Sequence, residues 1–465
     1  MATSTQQVVQ PSSLLRQLGF ISATALVVSN MVGTGIFATT GFMAGDLGDA
    51  RLILLVWTFG ALFALCGALT YSELGMNFPS SGGEYVYLTR AYGPTWGFMT
   101  GWVSFFGGFS APIAAAALAF ADYIGFFFPF FRQASAAYVV GSGEYSFKVG
   151  GAQLLASALI AGFVLLNCLG VGRTAKVQNA LTGIKIAVIL AFILFGFMSG
   201  AGDWGNFATP AVRTSTASLP VQFMISLLWI MVAYSGWNAA TYVAEEVKNP
   251  ERTLPAALAV GTALVAALYL GLNLVFIYST PLETLKGVVA VGSLSASRLF
   301  GPNVAGLFAA LMALSITSTV NAMVTIGPRV YYAMAKNRAF FPIAAKVDPT
   351  WRTPVAAIIA QGVCAMLMTL TPFPQLMIYI GFSLTFFTVA AVASVFVFRR
   401  RPDWRQLPAL NFAYPLIPAA YVLVGTGMCF YGMIWQPKAS FSALGTIALG
   451  ALVYRYTFKP TAPSA

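Results

Sequence analysis

Met31-Val32-Gly33-Thr34-Gly35-Ile36-Phe37 sits inside an apolar run at about 18–44, and Ala233-Tyr234-Ser235-Gly236-Trp237-Asn238 sits inside a second run at about 220–247. Glycine costs a helix roughly 1 kcal/mol against alanine, so two glycines in three positions let a helix unwind. Amide groups freed at membrane depth must find partners. N–H groups at the positive end of a half-helix suit a carboxylate. Freed carbonyls suit an ammonium, and a zwitterionic α-amino acid carries both groups. A lone Gly-Thr-Gly reads equally well as a close helix-packing site. The second break at a matching position turns the reading toward a transporter binding site.

The surroundings of both stretches set the class. Of 465 residues, 58% are hydrophobic and 8% are charged, against about 25% charged in a soluble domain. Apolar runs near the roughly 20 residues a bilayer-spanning helix needs recur along the whole chain. They lie near 18–44, 52–76, 94–128, 152–171, 175–200, 220–247, 255–280, 302–334, 354–371, 375–398, 412–434 and 440–458. These twelve spans make one all-α membrane domain. The third and eighth are long enough to tilt.

Lys and Arg in the loops orient the spans. With the N-terminus in the cytoplasm, the inner side carries sixteen basic residues, including Arg16, Arg90, Arg173, Lys176, Lys248, Arg399, Arg400 and Arg401. The outer side carries seven: Arg51, Arg132, Lys148, Arg213, Lys286, Arg298 and Lys438. The net charge of +12 therefore reads as a topology signal and not as a nucleic-acid surface. An even span number returns the C-terminus to the inside. Gly35 and Gly236 are 201 residues apart (236 − 35). Spans one to five start inside and spans six to ten start outside, so the two halves read as inverted repeats. The division is a tail at 1–15, helices 1–5 at 16–200, helices 6–10 at 201–400, and helices 11–12 with the C-terminus at 401–465.

At these residues the chain resembles the amino acid–polyamine–organocation superfamily, which has the LeuT fold: two five-helix inverted repeats plus two further helices. Gly33-Thr34-Gly35-Ile36-Phe37 looks like its unwound first-helix segment. Tyr71-Ser72-Glu73-Leu74-Gly75 and Pro79-Ser80-Ser81-Gly82-Gly83-Glu84-Tyr85-Val86-Tyr87 look like the end of its second helix and the following cytoplasmic loop. Tyr234-Ser235-Gly236-Trp237-Asn238, Glu245-Glu246-Val247-Lys248-Asn249-Pro250 and Leu254-Pro255 resemble the L-type transporter branch. The resemblance implies that the N–H groups of Thr34 and Gly35 hold the substrate carboxylate, with Gly33 and Ile36 in the same unwound stretch. It implies that the carbonyls of Met31, Val232, Ala233 and Ser235 hold the ammonium. Trp237 and Asn238 are candidates for gating or the pocket. The branch often places an aromatic gate where this chain has Val232.

Lys185 stands nine residues past Lys176 in the fifth span, roughly 13 Å into the membrane at about 1.5 Å per residue. A charge there costs at least about 2.5 kcal/mol without compensation, so pairing is expected and snorkelling is strained. Carbonyls near Gly33 and hydroxyls of the eighth span, Ser315, Thr317, Ser318 and Thr319, are the expected partners. By resemblance, Lys185 matches the lysine whose ammonium stands in for the sodium ion of sodium-coupled relatives. Arg329 is expected to snorkel or to pair locally.

Other classes fit poorly. An embedded enzyme needs convergent nucleophiles, acids or metal ligands. The chain has no histidine, and Glu73, Glu84, Glu245 and Glu246 fall near cytoplasmic span ends. A channel needs a ring of ligands that is not visible. A transport-inactive sensor on the same fold stays open. Cys66, Cys168, Cys364 and Cys429 lie in apolar stretches without metal-ligand spacing, and no cofactor is expected. The resemblance associates human members with a heavy chain, joined through a cysteine in the loop after the third span. The loop at about 129–150 here has no cysteine, so a disulfide-linked partner is not expected. The function expected is a sodium-independent exchanger of neutral L-amino acids in the plasma (inner) membrane, working by alternating access. Proton symport remains open.

Overall fold

A computed structural model of the chain describes residues 14–33, 35–135, 138–140, 147–288, 290–370, 373–435 and 437–458. Thr34 and the tail before residue 14 lie outside the described residues. All twelve expected spans are helical. Nine helices among the described residues are long and apolar enough to cross a membrane.

Both expected breaks are present. The first span is two helices, Phe20–Met31 and Gly35–Leu47. The sixth is an α-helix at Leu219–Tyr234 and a 3₁₀ stretch at Ala239–Glu246, whose Val243 leaves helical geometry. Gly236 between them has φ +98°, a conformation that glycine reaches without steric cost.

Local chemistry sets most other ends. The second span, Ala50–Asn77, starts where the Asp49 carboxylate accepts from the N–H groups of Arg51 and Leu52 at 2.7 and 3.1 Å. The seventh, Pro250–Ser279, starts five residues before the apolar run does. Proline at the first helical position and Glu251 beside it favour that start. The third, Pro94–Ile124, carries a π-helical stretch at Ser104–Ser110. The eighth, Pro302–Lys336, is 35 residues long. That is roughly 52 Å at 1.5 Å per residue and demands tilt or protrusion.

Two connections hold more structure than the sequence suggests. The loop after the second span contains a helix at Glu84–Tyr92. The connection after the third holds two short 3₁₀ turns and paired strands Tyr138–Val140 and Phe147–Val149. Among the nine helices long and apolar enough to cross a membrane, the eighth span is the most buried and the fifth and eleventh are the least. The first half of the first span packs on the seventh, fifth and eighth, which puts its break inside the bundle.

Candidate functional site

The two breaks meet. A Cβ added at Gly35 would stand 2.7 Å from Ala233 Cα, and one at Gly236 would stand 2.8 Å from the Asn30 carbonyl carbon. Each break is therefore seated on the backbone of the other helix, and only glycine allows that approach. Tyr269 of the seventh span pins both. Its hydroxyl lies 2.7 Å from Met31 O and 3.0 Å from Ala233 O, and it is fully buried.

Of the four carbonyls expected to face an ammonium, Met31 and Ala233 share the Tyr269 hydroxyl. Val232 O accepts from the N–H and hydroxyl of Ser235 at 3.2 and 2.7 Å. A carbonyl has two lone pairs, so Met31 O and Ala233 O each keep capacity for a second donor, while Ser235 already occupies both on Val232 O. The first N–H groups of Gly35–Leu47 have no partner within their own helix, as at any helix start. Ile36 is fully buried and Gly33 has room around it. Val232 turns toward Gly381 of the tenth span, Phe373–Phe398. Trp237 packs against Tyr71, with ring centroids 4.7 Å apart. Asn238 donates to Glu84 and to Tyr242.

Lys185, in the fifth span Val171–Met198, is fully buried. Its Nζ lies 2.6 Å from Val32 O, 3.3 Å from Ser29 O and 2.8 Å from Thr319 Oγ1. An ammonium has three N–H donors, and here it meets three oxygens. Thr319 donates in turn to Val32 O at 2.8 Å. The lysine thus ties the first break to the eighth span. The other expected hydroxyls do not join it. Thr317 bonds to Leu314 O and Ser318 to Ser315 O, both on their own helix. Helix periodicity explains this, since residues 315 to 319 cannot all face one neighbour.

Several polar groups escaped the sequence reading. Arg329 does not snorkel: it bonds Thr325 O on its own helix and also pairs across to the sixth span. It grips Glu246 of the sixth span with both carboxylate oxygens, at 2.6 and 3.2 Å, and both residues are fully buried. Breaking such a pair costs about 3–5 kcal/mol. Glu246 O also accepts from the N–H groups of Gln17 and Leu18, so the chain's N-terminal segment closes over this end.

From Arg329 a buried polar thread runs back toward Lys185. Arg329 donates to Thr325 O, and Thr325 to Asn167 Oδ1. Asn167 donates to Asn321, and Asn321 to Gln178. Gln178 donates to Thr182, whose hydroxyl lies 2.6 Å from Ser29 Oγ. Amides in apolar spans are a readable signal, because each is costly unless bonded.

Glu84, placed by the sequence in a loop, is buried between Tyr71 and Asn238. No lysine or arginine nitrogen comes within ion-pair distance of it among the described residues. Glu73 is buried and paired with Arg399, and also accepts from Trp404 and Leu407. No cluster of three or more metal-ligating residue types occurs among the described residues.

A helical membrane bundle with two interrupted helices meeting at one point has the architecture of a secondary transporter. The chain belongs to the amino acid permease family, which it matches over residues 18–452, and with it to the LeuT-type fold and the amino acid–polyamine–organocation superfamily. It is 29% identical to the serine/threonine exchanger SteT of Bacillus subtilis (strain 168) over 429 residues, 90% of this chain and 91% of that one. It is 26% identical over 446 residues to the human large neutral amino acids transporter small subunit 2, covering 95% of this chain and 80% of that one. It is 29% identical over 414 residues to the human cystine/glutamate transporter, covering 88% of this chain and 78% of that one. The chain is thus a multi-pass membrane protein of a family of amino acid permeases and exchangers, not of enzymes.

Proposed function

We propose that the chain is a sodium-independent exchanger of neutral L-amino acids working by alternating access. The observation that carries the reading is Lys185. A fixed cationic side chain bridging the first break and the eighth span fills the place a coupling ion would take and removes the need for one. The substrate carboxylate lies on the N–H groups that open Gly35–Leu47, with Thr34 beside them. Its ammonium takes the second lone pairs of Met31 O and Ala233 O together with Ser235 O, and Val232 O in exchange for the Ser235 hydroxyl. Two of the relatives above are named for serine, threonine or large neutral amino acids, which supports neutral substrates.

In this reading the protein lies in the plasma (inner) membrane with both termini cytoplasmic, an orientation that the loop-charge bias supports. The halves at 16–200 and 201–400 act as inverted repeats rocking about the joined breaks. The loop at 129–150 has no cysteine, so no disulfide-linked heavy chain is required.

The test uses proteoliposomes preloaded with labelled L-serine or L-leucine. Unlabelled amino acid outside is expected to speed release about tenfold or more, equally in sodium and in potassium buffer. Release that depends on a sodium gradient contradicts the proposal. A second reading, proton symport, is favoured by Glu84, a buried carboxyl bonded to Asn238 just past the second break, with no lysine or arginine within ion-pair distance among the described residues. Uptake into empty vesicles driven by a proton gradient would select it.

A further inference from the structure

Arg399, Arg400 and Arg401 follow directly on the tenth span, Phe373–Phe398, and Arg405 comes shortly after them. Two of the four are engaged inside the protein. Arg399 grips the buried Glu73, and Arg405 pairs with Glu251 at 2.7 Å. Arg400 and Arg401 are exposed, as is Arg90 in the last turn of the helix Glu84–Tyr92. None of these three has a carboxylate within ion-pair distance among the described residues. Asp403, the acid of the same loop, is exposed and pairs with none of them.

Arg90 and Arg401 share one aromatic platform. The Arg90 guanidinium lies 5.6 Å from the ring centre of Phe78, and that of Arg401 lies 4.8 Å from the ring centre of Phe398. The two rings touch, with centroids 4.9 Å apart, and Trp404 packs on both. Trp404 also donates to Glu73, so the Glu73–Arg399 ion pair anchors the platform. Arg401 donates to Arg90 O at 3.4 Å, which keeps the two segments together. A guanidinium lying on a ring keeps N–H groups at its edge for another acceptor. Neighbouring guanidiniums without a carboxylate between them match a phosphate, which each can hold with two N–H groups.

The membrane offers phosphate at this level. The platform stands at the end of a spanning helix, where headgroups lie. Tyr92, two residues past Arg90, is exposed and donates to Ala390 O of the tenth span, as an interfacial aromatic does. Arg399 also donates to the Asn411 side chain. The next residue, Phe412, is 94% exposed, and Leu416 is 72% exposed. Apolar side chains beside a basic cluster lie favourably against acyl chains. Basic clusters at the end of a span attract anionic lipid. A zwitterionic headgroup brings its own cation, which the arginines repel.

We propose that Arg90, Arg400 and Arg401 bind the phosphodiester headgroup of an anionic phospholipid, with its acyl chains over Phe412 and Leu416. In the orientation proposed above, this lipid belongs to the cytoplasmic leaflet. Its headgroup joins the helix before the third span to the end of the tenth. The site does not depend on what the protein transports.

The experiment titrates the purified full-length protein in neutral detergent with phosphatidylglycerol, with phosphatidylcholine of the same chains, and with inorganic phosphate, counting bound molecules by native mass spectrometry. The wild type is expected to bind phosphatidylglycerol at least about tenfold more tightly than phosphatidylcholine. The Arg90→Gln, Arg401→Gln double variant is expected to lose that preference. The corresponding double lysine variant keeps both charges and is expected to hold it within about threefold. The Lys248→Gln, Arg252→Gln double variant removes two exposed charges elsewhere on the inner side and is expected to bind as the wild type does. Equal losses in the two glutamine pairs mean diffuse surface charge and overturn the site, as does a full preference in the Arg90, Arg401 pair. Arg400→Gln breaks no side-chain bond among the described residues and is expected to weaken binding about fivefold. It carries the test if the Arg90, Arg401 pair fails to fold, and unchanged binding then overturns the site. Displacement of phosphatidylglycerol by an equal concentration of inorganic phosphate means a free-anion site and overturns the lipid assignment.

Discussion

Lys185→Ala is expected to slow amino acid exchange at least about tenfold, while Lys176→Ala leaves it within about twofold. Both are lysines of the same helix, so charge and helix propensity change alike. Lys185 is fully buried on Val32 O, Ser29 O and Thr319 Oγ1. Lys176 is exposed and makes no hydrogen bond or ion pair among the described residues. Removing the ammonium takes a donor from Ser29 O and Thr319 Oγ1 and leaves Val32 O with the Thr319 hydroxyl alone. Unpaired buried polar groups cost about 1–3 kcal/mol each, which matches the few kcal/mol that typically separate two conformations of a protein. The expected defect is a displaced equilibrium between the inward and outward states, with insertion retained. Initial exchange rates normalised to protein in the vesicles measure it. Equal rates in the two variants would show that Lys185 has no part in the cycle.

Gly35→Leu is expected to lower exchange by at least about a hundredfold, since overpacking against backbone costs about 3 kcal/mol or more where nothing can yield. The sequence suggests one reason, crowding of the substrate carboxylate. The structure adds a stronger one. The first added carbon meets Ala233 Cα at 2.7 Å and Ala233 Cβ at 3.0 Å, so the joined breaks must separate. Gly183→Leu is the control, because nothing lies within 4 Å of a Cβ at that lipid-facing position. It is expected to exchange normally. Size-exclusion profiles separate loss of the site from loss of the fold. Normal exchange by Gly35→Leu would show that the two breaks do not work as a unit.

How much of this was legible in the sequence follows from the range of the forces involved. Span number, both breaks and the buried lysine depend on composition and local backbone cost, which a sequence displays directly. The partner of Lys185 was narrowed to one helix but not to Thr319, because the facing residue depends on how two helices are rotated. Tyr269 was invisible for the same reason. One tyrosine in an apolar span is ordinary until the seventh helix is laid across both breaks. Arg329 with Glu246, and Glu84 with Asn238, join residues 83 and 154 positions apart, and no local pattern marks such pairs. The amide thread was readable in principle. Asn167, Gln178 and Asn321 each sit in an apolar run where a lone amide is costly, and their cost pointed to one another.

The central claim is that the joined breaks hold the two charged ends of an α-amino acid through backbone groups. Competition against labelled amino acid exchange tests it most directly, using the parent amino acid, its N-acetyl form and its decarboxylated amine. Each derivative loses one charge, and with it hydrogen bonds to charged groups worth about 1.5–3 kcal/mol. Both derivatives are therefore expected to compete at least about tenfold more weakly than the parent. Either derivative competing as well as the parent would contradict the claim.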